Sequence, residues 1–585
     1  MRRVLFGFLT ALLTMALLFA AQPSQADDGS SGTQIKHVLL VSIDGMHAID
    51  YINCSKGISG VNGGEPYCPN LAQLGKNGIH YLDTSASKPS DSFPGLTAIV
   101  TGGSPRSTGV YYDVAYDRVL APPTIMTGNG LNGSGPNGCT PNKPNGTSTE
   151  YEEGIDKNQS FVNGIDGVST ANGDGGINSI DQLKLPRDPY KNCAPVYPWN
   201  FLRTNTIFGV AHAAGLYTAW SDKHPAYSSV SGPGDGTNLD DFYGPEINSN
   251  VVALPGISTP DGIDCTTGLD LNNDTSSWTN SFVNIRCYDT LKVNAVLNEI
   301  DGYNHNRSKK TKVPAIFGMN FQAVSVGQKL IEKDLNGNVT GTGGYLGAVG
   351  TPSGLLLGEI EFVDKSIGEW VLELKKNGLS DSTLVVITAK HGQSPIDSPR
   401  YTRITSTGPV TTSPSRLVDK CLPDSESNAG NQIGPTEDDV SLLWLKSASG
   451  CDAASQAQVL ETESPASANI AGIGQIFWGR SLLTFLNKPG LPPNDSRTPD
   501  IIVTPNVSVT YSKSTGKQAE HGGFAHDDTN VMMLLSHPDF GRTTVFSPVE
   551  TTQVAPTILK ALGLNPNALE SVRIEGTQVL PGLDF

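Results

Sequence analysis

A long amphipathic stretch, "GLLLGEIEFVDKSIGEWVLELKKNGL", runs almost directly into "TLVVIT", where every residue from Thr383 to Thr388 is apolar or β-branched. A strand with no polar face has to be covered on both faces, so the chain must build a sheet between two layers of helix. The same grammar recurs along the sequence. "HVLLVSI" (37–43) is a first strand, followed by short helices in "CPNLAQLGKNGIHY" and "SFPGLTAIVTGG". "TIFGVAHAAGLYTAW" reads as a helix feeding a strand that ends at Trp220-Ser221-Asp222. "DTLKVNAVLNEI" is helical, and "VPAIFGMNF" is a buried strand ending near Asn320. "DIIVTPN", "NVMMLLSHP" and the helix "TTQVAPTILKALGL" close the chain. Such alternation predicts an α/β fold, a three-layer α/β/α sandwich with a mostly parallel central sheet.

Two polar segments interrupt the pattern, at about 111–200 and 400–495. Both are rich in turn formers, in a chain of 585 residues with 64 Gly and 39 Pro. They read as long loop insertions in a single domain over 33–585, with no internal repeat. The first 26 residues read as a secretory signal peptide. Arg2 and Arg3 form the positive end, Val4 to Ala21 the apolar run, and Ser24-Gln25-Ala26 a small-x-small cleavage site. A secreted or periplasmic protein, with no membrane segment after cleavage, is the expectation. The eight cysteines fit export: none forms a CxxC pattern, and an oxidising compartment favours disulfides. Sequential pairing (54–68, 139–193, 265–287, 421–451) is the simplest scheme, because each pair brackets one loop. A net charge of −17 excludes a nucleic-acid surface built on phosphate neutralisation. A small phosphorylated substrate stays open, since a local metal or lysine outweighs the global field. The oligomeric state is unread.

Loops at the carboxyl ends of parallel strands are where α/β proteins place their chemistry. Four positions there draw notice: Asp44 after the first strand, Ser92 at a helix start in "SDSFPGL", His391 in "TAKHGQ", and His521 in "AEHGGFAHDD". Singly, each has an ordinary structural reading, such as a turn aspartate or a helix-capping serine. In this order they resemble the alkaline phosphatase superfamily, and within it the type I phosphodiesterase/nucleotide pyrophosphatase branch. That family hydrolyses phosphate esters through a covalent phosphoryl intermediate on a Thr or Ser flanked by two divalent metals, usually zinc. The resemblance implies Ser92 as nucleophile and Asp44, Ser92, His391 and His521 as metal ligands. An oxygen nucleophile needs such a partner, because it is weak at neutral pH.

Three positions depart from the family's pattern. Its Pro-Asp-x-x-Gly-His falls on "AVSVGQ", which puts Val324 in the aspartate's place and Gln328 in the histidine's. The aspartate of Ser-Asp-His-Gly is replaced by Lys390. One expectation is that Lys390 points into the site as a fixed charge standing in for a cation, its ammonium held by Asp44, a phosphate oxygen or water. The competing reading is a secreted pseudoenzyme that binds a ligand without turning it over. A sulfatase-like or phosphonate hydrolase is a further alternative, though the Cys-type sulfatase signature is absent. Asn320, Gln322, Gln328, Lys223, His224 and His526 are candidates for substrate contact. Asp222 belongs to the same rim, and His526, Asp527 and Asp528 either rebuild a metal site or cap a loop.

Overall fold

A computed structural model describes residues 34–125, 138–152, 155–156, 179–249, 251–273, 277–404, 413–427, 434–484 (side chains of 463–471 excepted), 495–512, 514–583 and 585. The expected signal peptide and parts of both expected insertions lie outside the described residues. Eight strands form the central sheet: β1 (His37–Ile43), β2 (Gly78–Tyr81), β3 (Ala219–Ser221), β4 (Asp241–Tyr243), β5 (Ile316–Phe321), β6 (Thr383–Thr388), β7 (Leu534–Ser536) and β8 (Thr543–Val545). Their order is β8-β2-β7-β6-β1-β5-β3-β4. β1 lies parallel between β6 and β5, with Val41 opposite both Ile387 and Met319. The pairs β5–β3, β3–β4 and β2–β8 are also parallel, and β7 alone runs against both its neighbours. The sheet is mostly parallel, as its apolar strands require.

Alternate residues of β1 enter different cores. Leu39, Val41 and Ile43 pack with Met319, Phe321 and Ile387 in a core shared with α1 (Ala48–Lys56), α3 (Phe282–Ile300), α4 (Ala323–Lys329) and α5 (Gly354–Lys376). Val38 and Leu40 pack with Leu384 and Val386 under α2 (Ser92–Thr101) and α6 (Val554–Ala561). Period-two alternation on a strand apolar on both faces thus produces the three layers. Every residue of α2 is buried. A Cβ at Gly95 would stand 2.4 Å from the Lys390 carbonyl oxygen, so only glycine lets this helix approach the loop after β6.

The short helix read in "CPNLAQLGKNGIHY" runs Pro69–Leu74 and stops at Gly75, and "GIHY" beyond it forms β2. One expectation about strands needs correction. "DIIVTPN" forms Ile501–Pro505, which joins not the central sheet but a separate four-stranded one, with Thr436–Glu437, Ser441–Leu443 and Ile473–Trp478. Periodicity identifies a strand but not the sheet it enters. The four disulfides are Cys54–Cys68, Cys139–Cys193, Cys265–Cys287 and Cys421–Cys451. Among the described residues no helix is long and apolar enough to cross a membrane.

Candidate active site

The carboxyl ends of β1, β3, β5 and β6 and the amino end of α2 meet in one buried cluster. Asp44 follows β1; Asp222, Lys223 and His224 follow β3; Asn320 and Gln322 sit at the end of β5; Lys390 and His391 follow β6. Ser92 opens α2, behind the capping residue Asp91, whose carboxylate accepts from Phe93 N.

Ser92 Oγ lies 3.0 Å from His391 Nε2 and 3.5 Å from Asp44 Oδ2, and accepts from Lys223 Nζ at 3.1 Å. His391 Nδ1 faces the Gly392 carbonyl at 2.8 Å. A carbonyl only accepts, so in the neutral ring Nδ1 carries the hydrogen and Nε2 turns its lone pair to the serine. Gln322 Nε2 and Asn320 Nδ2 donate to Asp44 Oδ2 at 2.6 and 3.1 Å. Burial by itself raises the Asp44 carboxyl, but its cationic neighbours, Lys390 foremost, hold it well below the ordinary carboxylate value. His521 stacks on His391 with ring centroids 3.8 Å apart. Burial and the neighbouring His391 push His521 well below the ordinary imidazole value.

The two lysines exchange the places expected of them. Lys390 is fully buried, its ammonium 2.8 Å from Asp222 Oδ1 and 4.1 Å over the Tyr227 ring. Its direct ion-pair partner is thus the carboxylate after β3, with Asp44 as a further favourable charge nearby. Lys223, read as a candidate substrate contact on the rim, is the cation on Ser92, pinned from behind by Glu152 Oε1 at 3.0 Å. Burial works against its charge, yet Glu152 and Asp44 raise the Lys223 ammonium above the ordinary lysine value. His224 lies between Glu152 (3.6 Å) and Glu246 (2.8 Å). Against burial, the two carboxylates raise its imidazole to about 10. Glu152, Glu246, Tyr227 and Asp91 escaped the sequence reading. Only Asp91 had a visible signal, an acidic cap directly before Ser-Phe-Pro.

Above the cluster is a cavity of about 680 Å³, lined among others by Lys223, His224, Gln322, Lys329, Lys517 and His521. Ser92 has 0% exposure and lies under Lys223, Gln322 and His521, the cavity residues that touch it or its partners. Gln328 is no substrate contact. Its amide donates to Gly45 O (2.7 Å) and Tyr345 Oη (2.8 Å) and accepts from Gln393 Nε2 (3.0 Å). His526 is exposed at the start of a short helix, while Asp527 accepts from Ile396 N and Asp528 from Ser394 Oγ. Among the described residues these three are not grouped to hold a metal ion.

Zinc needs about four ligands, at least three of them N, S or carboxylate O from the protein. Next to Ser92 only Asp44 and His391 are of that kind, and the other close groups are N–H donors from Asn320, Gln322 and Lys223. Asp44 Oδ1 accepts no hydrogen bond, which leaves one oxygen for a cation. At the second position Val324 cannot ligate and Gln328 is engaged elsewhere, and the carboxylate paired with His521 is Asp91, at 3.5 Å. Among the described residues no three His, Cys, Asp or Glu side chains are grouped to hold a metal ion. The expected ligands are brought together, but they do not fit a tightly held pair of divalent ions.

The profile of the type I phosphodiesterase/nucleotide pyrophosphatase family matches residues 38–143, the segment that carries Asp44 and Ser92. An inactive form of murine ectonucleotide pyrophosphatase/phosphodiesterase 5, solved in complex with AMP, superimposes with a TM-score of 0.50 at 13% identity, over 91% of this chain and 96% of its own. The chain shares the fold of that protein. The same murine protein in another structure gives a TM-score of 0.49 at 13% identity, covering 91% of this chain and 96% of that one. The human protein gives 0.47 at 14% identity, covering 90% and 95%. No curated protein sequence matches the chain. The profile match over 38–143 agrees with the resemblance read from the motifs in that segment.

Proposed function

We propose that this chain hydrolyses small phosphate esters by transferring the phosphoryl group to Ser92. The observation that carries the reading is the Ser92 hydroxyl itself. It sits at the first turn of a buried helix, with the lone pair of His391 on one side and the ammonium of Lys223 on the other. The free N–H groups and dipole of that helix end favour negative charge on the oxygens of a phosphoryl group. Asn320 and Gln322 orient Asp44, and Gln322, Lys223 and His224 face the cavity where a leaving group fits. The family resemblance implies divalent-metal dependence, zinc in most members. The donor set here supports at most one weakly held ion, on Asp44 and His391. The signal segment and the four disulfides support a secreted or periplasmic location.

A second reading, a binding protein that turns nothing over, is favoured by the complete burial of Ser92 and the three altered ligand positions. The test is turnover of 4-nitrophenyl phosphate and bis(4-nitrophenyl) phosphate by the wild type and Ser92→Ala. Losing a nucleophile costs orders of magnitude in rate, whereas the fold loses one hydroxyl. An active wild type with an inactive, folded variant supports the hydrolase. An active Ser92→Ala would remove Ser92 from the role, and a wild type that binds phosphate without turning over either ester would leave the binding protein.

A further inference from the structure

We infer that Lys223 and His391 operate Ser92 without a resident metal: the ammonium supplies the charge and the imidazole takes the proton. This rests on Ser92 being the nucleophile and goes beyond it by naming what replaces the metals. Four observations converge. The ammonium of Lys223 already donates to Ser92 Oγ, at 3.1 Å. Glu152 fixes that ammonium from the far side at 3.0 Å, as a positioning residue. His391 presents Nε2 to the same oxygen at 3.0 Å, its tautomer set by the Gly392 carbonyl. Three positions that carry ligands in the family's motifs hold Val324, which cannot ligate, Gln328, whose amide is bonded elsewhere, and Lys390, paired with Asp222.

The chemistry balances without another reactant. Ser92 Oγ attacks phosphorus while its proton passes to His391 Nε2, the new O–P bond forms, and the bond to the leaving oxygen breaks. From an aryl ester that oxygen leaves as phenolate. Lys223, touching both Oγ and the cavity, offsets the charge carried by the serine oxygen and the phosphoryl oxygens. Water then attacks phosphorus, and Ser92 Oγ departs and takes its proton back from His391. The proton given up by water reaches the phenolate through solvent. The sum is ester plus water giving phenol plus hydrogen phosphate.

The experiment uses the full mature chain in three readouts. These are divalent metal per chain by elemental analysis, inorganic phosphate binding by calorimetry before and after exhaustive chelation, and 4-nitrophenyl phosphate turnover. The expected results are well under one metal ion per chain and unchanged phosphate affinity after chelation. Activity should also survive chelation. Lys223→Met should weaken phosphate binding at least about tenfold, the scale of a charge-assisted hydrogen bond. His391→Gln should bind phosphate as the wild type does but lose turnover by about two or more orders of magnitude. Stoichiometric metal whose removal abolishes phosphate binding would overturn the inference, as would Lys223→Met binding phosphate normally. A chain that binds phosphate through Lys223, metal-free, yet turns over no ester sinks the hydrolase reading and the proton-accepting role of His391, while the ammonium's role survives. Circular dichroism and urea midpoints of both variants separate these results from misfolding.

Discussion

Replacing Lys390 by Met tests the buried ion pair that holds the centre together. Both members of the Lys390–Asp222 pair are wholly buried, and the ammonium also covers the Tyr227 ring. Removing the cation leaves Asp222 with two N–H donors, Trp220 Nε1 at 3.0 Å and the Lys223 backbone at 2.8 Å, but no counter-charge. Breaking one side of a buried pair costs about 3–5 kcal/mol. The two surviving hydrogen bonds place this case near the lower end. The lost cation–π contact adds about 1 kcal/mol, for a total of about 4. Met matches the lysine stem closely enough to leave no large cavity. Urea unfolding should therefore show a lower midpoint at unchanged slope. The control is the double variant Lys390→Met with Asp222→Asn, in which no charge is stranded. It should recover about 2 kcal/mol or more of the loss, a coupling that only contacting groups show. A single-variant loss under about 1 kcal/mol, or a double variant equal to the sum of the singles, would refute the argument that this pair is a fixed structural charge.

Lys390→Asp places a second carboxylate against Asp222 in the position where the family has a ligand. It should be less stable than Lys390→Met but regain stability on zinc addition, as read by the thermal midpoint, while the wild type does not respond. Gly95→Ala drives a Cβ to 2.4 Å from the Lys390 carbonyl, so the loop carrying Lys390 and His391 must shift. A loss of about 1–3 kcal/mol in urea, accompanied by reduced turnover, is expected. Glu426 is pushed up from 4.5 to about 8 by burial. The folded state therefore binds this proton more tightly than the unfolded chain, and stability falls as pH rises between those values and levels off above the higher. Glu426→Gln removes that slope. The variant should gain about 2–4 kcal/mol on the wild type at alkaline pH and none near pH 4, measured by urea midpoints across the range.

The layers and the strand ends were legible because they follow from short-range pattern. β1, β5 and β6 are apolar on both faces and almost wholly buried, which demands a covered, mostly parallel sheet. Asp44 and His391 follow from the rule that places chemistry after such strands, and Ser92 from its helix start. Sheet membership was less legible: nothing in "DIIVTPN" separates a central strand from one in an inserted sheet. Side-chain pairing was legible least. Lys390 and Lys223 both follow buried strands, and their order of importance depends on Asp222 and Glu152. Glu152 comes from the turn-rich segment before residue 200, where periodicity is weak. Its ion pairs with Lys223 and His224 connect residues far apart in sequence, which no local pattern encodes.

The altered positions make physical sense as a set. Relative to the family's pattern, Val324 removes one negative charge, Lys390 removes another and adds a positive one, and Gln328 is neutral. The centre thus moves by about three units in the positive direction, where a pair of divalent ions brings about four. A pocket that had lost its ions but kept its carboxylates would hold uncompensated buried anions, at several kcal/mol each. A pocket that kept its ions and gained Lys390 would set an ammonium against them in low dielectric. Neither mixture is stable, so the loss of ligands and the gain of the lysine belong together. Lys390, bound to Asp222, balances the interior, which leaves Lys223 as the cation in contact with Ser92. On this account charge balance and substrate contact, both met by metal in the family, are divided here between two lysines. Variants of the two should therefore fail differently, Lys390→Met in stability and Lys223→Met in phosphate affinity.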